Sequence, residues 1–311
     1  MRKHFMFTVF VAFAMNGMAQ TDAINIDLGK KGAVVSPNLY GIFFEEINHA
    51  GDGGLYAELV QNRGFEEHVL PLSMTYSDGR AVAVDSPNYE HRNNRKWSIP
   101  WNIEEKKILG WQVTGKNCMV TGDVIEVSTP LHKNTPHAME LKIKNVGKDG
   151  KAVLTNTGYW GMGLKKGEKY DLRFYVRSSN FKGTITARLS DSENGESLGT
   201  ATFEAYKIKD WTEFTGVLTS TGTAPKGQLS LEFDAKGTVL VDYVSLFPQS
   251  TFKGRKNGQR ADVAQMLVDM HPKFMRWPGG CIVEGANASL NKYSQGNKFT
   301  TNAWARVEAG S

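Results

Sequence analysis

Cysteine is almost absent: 311 residues carry only Cys118 and Cys281. They lie far apart in dissimilar segments, which excludes a disulfide framework and a zinc site built on closely spaced thiolates. Long apolar runs are missing too, because the longest, Phe5 to Met15, falls short of the ~20 residues a helix needs to cross a bilayer. No block of Lys and Arg concentrates the net charge of +5, and part of that excess comes from Arg2 and Lys3. A nucleic-acid partner is therefore not expected. His49 and Asp52 near Glu45 do not have the spacing of a metal-ligand motif, so no metal is expected. Gly161, Gly163 and Gly167 precede a strand pattern rather than a helix, which rules out a dinucleotide loop. No cofactor is implied.

What is present is ordinary globular material, with 40% hydrophobic, 22% charged and 11% aromatic residues, enough for about two domains. Residues 1–19 combine a basic start, a short apolar run and small residues at Gly17 and Ala19, the pattern of a secretory signal peptide. The mature chain is then expected to be exported, to the periplasm or the cell exterior, and not to be held in a membrane.

Two periodicities alternate along the rest. LYGIFF runs into Glu45 and Glu46 and then a glycine loop, and Leu55, Tyr56, Leu59 and Val60 follow at helical spacing. This predicts a β/α unit over 20–67. Near the other end Val263, Met266, Leu267 and Met270 predict an amphipathic helix that Pro272 stops. Phe274 to Trp277 is then a short strand entering a Pro-Gly-Gly turn, a second unit over 251–285. Between the two the period is two: Met139, Leu141, Ile143; Leu172, Phe174, Val176; Leu229, Leu231, Phe233. Such runs, separated by polar turns, predict an antiparallel β-sandwich over 102–250, with 68–101 a connector of little regular structure. An all-β domain is thus inserted into an α/β one. The α/β portions hold only about 100 residues against the ~250 of a full (β/α)8 barrel, so only the first two units of an interrupted barrel are expected here.

Candidate site residues follow from that layout. Glu45 and Glu46 are consecutive on a strand, so their side chains point to opposite faces and only one can serve a cleft. Glu45 is either a ligand for sugar hydroxyls or a solvated carboxylate at a strand end. Arg276, on the corresponding part of the next strand, either orders a ligand or neighbouring carboxylates or sits in a structural ion pair. Cys281 has no base partner in sight and reads equally as a small buried hydrophobe. Tyr159 and Trp160, with Tyr170 and Tyr175, form either a sugar-stacking platform or part of the sandwich core.

Two stretches carry a family resemblance. YGIFFEEINHAGDGGLYAELVQNRGFE (Tyr40 to Glu66) and HPKFMRWPGGCIVEG (His271 to Gly285) resemble the first two β/α units of the α-L-arabinofuranosidases of glycoside hydrolase family 51. The stretch between them is similar to a jelly-roll-like, carbohydrate-binding-module-like insertion, including its closing strand VLVDYVSLFP (Val239 to Pro248). The resemblance covers about Ile24 to Gly285, and the tail 286–311 departs from it. It implies an exported enzyme that removes terminal non-reducing α-L-arabinofuranosyl residues from arabinan or arabinoxylan by a retaining mechanism. Its partner would be an arabinose-containing plant polysaccharide. By the resemblance Glu45 binds the arabinose ring without performing chemistry, Arg276 is the arginine of the R-x-P-G-G turn, and Cys281 lines the sugar subsite. The nucleophile and acid/base glutamates belong to later barrel strands and would fall beyond Ser311, so no catalytic residue is assigned. The competing readings are a non-catalytic glycan-binding protein and a non-functional fragment.

Overall fold

The computed structural model describes residues 24, 26–45, 49–67, 74–83, 98–100 and 108–277. The expected signal peptide, Glu46, Cys281 and the tail after Trp277 lie outside these. The chain divides into two units, Met1–Leu39 and Tyr40–Ser311. In the first, the described residues are exposed and form two local turns, closed by Lys30 N–H on the Asp27 carbonyl and Leu39 N–H on the Ser36 carbonyl.

The second unit is dominated by an antiparallel sandwich. One sheet is built from β6 (Met119–Glu126), β7 (His137–Lys144), β10 (Lys169–Arg177), β13 (Thr212–Thr219) and β15 (Gly237–Pro248), in the order β13-β10-β15-β7-β6. The other is built from β5 (Trp111–Lys116), β8 (Lys151–Asn156), β11 (Thr184–Asp191), β12 (Ser197–Glu204) and β14 (Ala224–Phe233), in the order β12-β11-β14-β8-β5. A short strand β9 (Met162–Leu164) also pairs with β14. The period-two pattern accounts for the core: Leu172, Phe174 and Val176 from one sheet meet Leu229, Leu231 and Phe233 from the other, all at 2% exposure or less. Sheet pleating sends their neighbours Arg173, Tyr175 and Arg177 to the outer face.

Two strands frame this sandwich in sequence. β1 (Ile42–Phe43) and β16 (Met275–Arg276) pair in parallel, Ile42 with Met275 and Phe43 with Arg276. The amphipathic helix predicted before Pro272 is α1 (Ala261–Asp269). Strands far apart in sequence but adjacent and parallel in space are what the start of an interrupted (β/α)8 barrel requires. Among the described residues no closed barrel is present.

Two expectations need correction. Residues 68–101 are not without regular structure: β2 (Met74–Ser77), β3 (Arg80–Ala83) and β4 (Ser98–Pro100) form a three-stranded antiparallel sheet. Ser77 pairs with Arg80 across Asp78 and Gly79, which both have positive φ (50° and 72°). That is the two-residue turn for which Asp-Gly is the favoured sequence.

The helix predicted after Leu55 does not form. Residues 55–67 run as turns and extended backbone, because their polar groups find partners in distant parts of the fold rather than in the next helical turn. Ala57 N–H donates to the Gly258 carbonyl, Leu59 N–H to the Leu246 carbonyl, and Val244 N–H to the Arg63 carbonyl. The pairing of β15 with β7 runs no further than Val241 with Met139. The segment takes over the ladder groups of β15 beyond that point, so this edge of the sheet is covered rather than left open.

A buried carboxylate anchors the segment. Glu58 accepts hydrogen bonds from Val60 N–H (3.0 Å), Leu246 N–H (2.8 Å) and the Ser245 hydroxyl (2.7 Å), and pairs with the Arg63 guanidinium at 3.2 Å. Burial raises its pKa, although Arg63 and the three hydrogen bonds oppose the shift. Arg63 lies 4.9 Å from the Tyr243 ring centroid. Further along, Asn156 grips Gln61 through both its amide oxygen (3.2 Å) and nitrogen (2.9 Å), the Trp111 indole donates to the Asn62 carbonyl, and Glu66 accepts from His137 N–H.

Removing one member of a buried pair leaves the other charge uncompensated. Arg63→Ala is therefore expected to cost about 3–5 kcal/mol, read from the urea midpoint. A loss under about 1 kcal/mol would show that the anchor lies elsewhere.

Asp242, also buried beside this segment, supplies a pH test. Burial pushes its carboxyl well above the usual range, the Tyr243 N–H it accepts opposes this, and nearby Glu66 adds to the rise. A carboxyl raised in the folded state contributes stability that is full below the unfolded value of 3.8 and is lost as pH rises through the folded value. Against wild type, Asp242→Asn should therefore gain stability as pH rises from about 4 to 8, and the two should converge at the acid end. Parallel stability curves would contradict the buried-carboxyl assignment.

Candidate functional site

The parallel pair creates the first candidate site. Ile42 N–H donates to the Phe274 carbonyl and Phe44 N–H to the Arg276 carbonyl (3.0 and 2.9 Å), which fixes the two strands in register. Gly41 is needed because a Cβ there would come within 2.5 Å of the Phe274 ring. Phe44 and Trp277 pack with ring centroids 4.5 Å apart. Half-buried Glu45 is two residues beyond Phe43, and Arg276 is the register partner of Phe43. Both therefore sit at the C-terminal ends of adjacent parallel strands, the end at which α/β barrels place their chemistry. The Arg276 guanidinium lies 5.2 Å from the Phe43 ring centroid, a cation–π contact that holds it at the strand end.

The second candidate site lies on the turn between β8 and β9. Asn156 Oδ1 accepts Gly158 N–H at 2.9 Å, and Gly158 and Gly161 take positive φ (66° and 98°), so the turn presents Tyr159 and Trp160 side by side. Trp160 is 66% exposed. Tyr159 is half-buried under the loop that follows Glu45, its ring 4.9 Å from the His49 ring, which is also 5.5 Å from Trp160. Tyr170 is a core residue at 1% exposure, its hydroxyl accepting Lys165 N–H. Tyr175 is on the outer sheet face, donating to Glu213 at 2.9 Å.

Behind Trp160 lies a cavity of about 530 Å³ lined by Tyr56, Lys165, Glu168, Arg260 and Asp262 among others. The inner carboxylate Glu58 also borders it. Glu168 is engaged with Ser250, and Arg260 holds Asp262 in a bidentate pair at 3.1 and 2.7 Å. The Arg260 bonds, with the backbone N–H groups of Val263 and Asp262, hold the Asp262 carboxyl below its usual range against the opposing effect of burial. These residues were missed in the sequence because each is a single charge in an unremarkable context. The antiparallel bridge between Tyr56 and Gln259, with Arg260 N–H on the Leu55 carbonyl, brings Tyr56 and Glu58 beside Arg260 and Asp262.

The sandwich face formed by β5, β8, β14, β11 and β12 offers less. Glu232 is held by Arg188 Nε (2.6 Å) and Lys151 Nζ (2.6 Å), and Thr155 bonds Ser230. Burial raises the Glu232 carboxyl, but those cations more than offset it and leave it below the usual range.

Comparison with known proteins agrees with both parts of the chain. Residues 101–237 match the family described as carbohydrate binding domain. The extracellular exo-α-L-arabinofuranosidase of Streptomyces chartreusis is 32% identical over 273 residues, 88% of this chain and 27% of that protein. The α-L-arabinofuranosidase 2 of Arabidopsis thaliana is 33% identical over 272 residues, 86% of this chain and 34% of its own. A solved arabinose-bound α-L-arabinofuranosidase of glycoside hydrolase family 51 superposes with a TM-score of 0.62 at 30% identity, covering 81% of this chain and 36% of that one. The chain is thus homologous over most of its own length to α-L-arabinofuranosidases, and spans about a third of the length of those relatives.

The contact between the two candidate sites can be tested at Gly53. It has φ of 87°, and a Cβ would lie 2.5 Å from the Tyr159 ring. Gly53→Ala should cost about 1–3 kcal/mol through overpacking and an unfavourable φ, and should shift the tryptophan emission by displacing the turn that carries Trp160. A neutral substitution would mean that this loop does not rest on Tyr159.

Proposed function

We propose that this chain forms the substrate-binding start of an exported α-L-arabinofuranosidase of glycoside hydrolase family 51, acting on terminal arabinofuranosyl groups of arabinan or arabinoxylan. The observation that carries the proposal is the parallel register of β1 and β16, which sets Glu45 and Arg276 at one end of adjacent strands. Residues 20–67 and 251–285 are assigned to the barrel, 102–250 to the inserted glycan-associated sandwich, and 1–19 to export.

In this reading Glu45 accepts hydrogen bonds from sugar hydroxyls, Arg276 orders carboxylates and substrate through its planar donor fork, and Cys281 lines the same subsite. A retaining glycosidase also needs two carboxyl groups about 5–5.5 Å apart, one nucleophile and one acid/base. Glu66, on the 55–67 segment, and Asp242, packed beside it, are both buried, so a glycan cannot reach them. In this reading the role of Glu45 is binding.

The test is calorimetric binding of an aryl α-L-arabinofuranoside to the 311-residue chain. A hydrogen bond to a charged group contributes roughly 1.5–3 kcal/mol, so Glu45→Ala should weaken binding about ten- to a hundredfold. Glu46→Ala should do far less, because consecutive residues of an extended chain direct their side chains to opposite sides. Equal losses would overturn the register on which the site rests. Rapid release of the aryl group by the chain itself would overturn the assignment of Glu45 to binding alone.

A further inference from the structure

We propose that the Trp160 turn and the cavity behind it form a binding site for the polymer side of a neutral glycan, continuous with the strand-end site at Glu45. The sandwich would then serve as a wall of the substrate path and not as a remote tether.

Chain geometry sets the separation. His49 is four residues from Glu45, so their Cα atoms are at most about 14 Å apart, and the His49 ring sits 5.5 Å from that of Trp160. An oligosaccharide seated at Glu45 needs only a few sugar units to reach the indole. The indole is presented for it: Trp160 is 66% exposed, while its neighbour Tyr159 is wedged between His49 and Gly53. A flat aromatic face backed by a rigid turn is the surface on which the apolar face of a sugar ring stacks.

The cavity supplies the polar part and indicates the charge of the ligand. Lys165 and Arg260 bring two positive charges, and Glu168 and Asp262 two negative ones. Glu58, which also borders the cavity, is consumed by its internal hydrogen bonds and its pair with Arg63. Arg260 and Asp262 pair with each other and Glu168 holds Ser250, so the lining is polar with no surplus of either sign, which suits hydroxyl groups better than phosphate or carboxylate. The about 530 Å³ of space is of the size of an ordinary small-ligand site.

This inference rests on the glycan reading above, and the experiment separates the two. Binding of L-arabinose, of soluble arabinoxylan and of arabinose-free β-glucan would be measured by calorimetry on the 311-residue chain, with Trp160→Ala, Lys165→Ala, Glu45→Ala and Tyr175→Ala. The expected result is that Trp160→Ala lowers affinity for arabinoxylan about tenfold or more and leaves L-arabinose binding unchanged. Lys165→Ala should move it in the same direction, whereas Glu45→Ala weakens both ligands. Because Trp160 is exposed, its removal should leave the thermal midpoint intact.

Unchanged arabinoxylan binding in Trp160→Ala, with loss in Tyr175→Ala, would overturn the site and place the glycan on the outer sheet face, leaving the arabinofuranosidase reading intact. Equal loss of monosaccharide and polymer in Trp160→Ala would also overturn it, as would failure of the wild-type chain to bind any of the three. Binding of β-glucan alone, weakened by Trp160→Ala, would support the site and count against arabinosides as the substrate.

Discussion

A single carboxylate removed from water organises the junction between the two parts of this protein. Glu58 lies on the segment after the first parallel strand, yet three of its four partners, or the ring that flanks them, belong to the sandwich or to the return path of the same segment: Ser245, Leu246, and Arg63 resting on Tyr243. Taking the charge out of water is costly, and that cost is offset only while every partner keeps its geometry. The position of the segment is therefore all-or-none. Helix propensity along 55–60 loses to this arrangement because a helix would withdraw the backbone groups of Ala57 and Leu59 from partners they cannot otherwise satisfy.

The same constraint explains the form of β15. Its outer residues Asp242 and Ser245 face the segment, and between them the pairing with β10 shifts register around Tyr243, which adopts a left-handed φ of 49°. A bulge at that point bends the strand toward its new neighbour. The conformational cost of a non-glycine residue there is tolerated because the Tyr243 ring packs against the Arg63 guanidinium. From this platform the segment continues back toward the loop that carries His49 and Gly53, so the geometry of the strand-end site and of the Trp160 turn descends from one anchored stretch.

Legibility followed the range of the forces involved. In 169–177 the side chains alternate strictly and the strand is stabilised by its own pattern, so its core and surface faces could be read directly. The parallel strands were located by short apolar runs beside glycine turns, and α1 by its helical spacing before Pro272. The stretch Leu55 to Val60 misled because four apolar residues at helical spacing are equally well buried by an irregular chain whose polar partners, Gly258, Leu246 and Asn156, are distant in sequence. The Asp78-Gly79 turn carried a clear local signal that the surrounding prolines and charges obscured. Trp160 is ambiguous in principle: it sits between two glycines with positive φ, where no periodicity says which way a side chain points. Glu45 and Arg276 were located by strand position and resemblance, while Lys165, Arg260 and Asp262 become neighbours only through tertiary structure.

The pairing of Ile42 with Met275 also dictates an order of events during folding. Bringing two residues roughly 230 positions apart into contact closes a very long loop, whose entropic cost grows with the logarithm of its length. Once the sandwich has condensed, most of that loop is already fixed, and only short tethers remain between its ends and the two strands. The inserted domain thus acts as a clamp assembled in advance. By this loop-closure argument the parallel pair is expected to form after the sandwich.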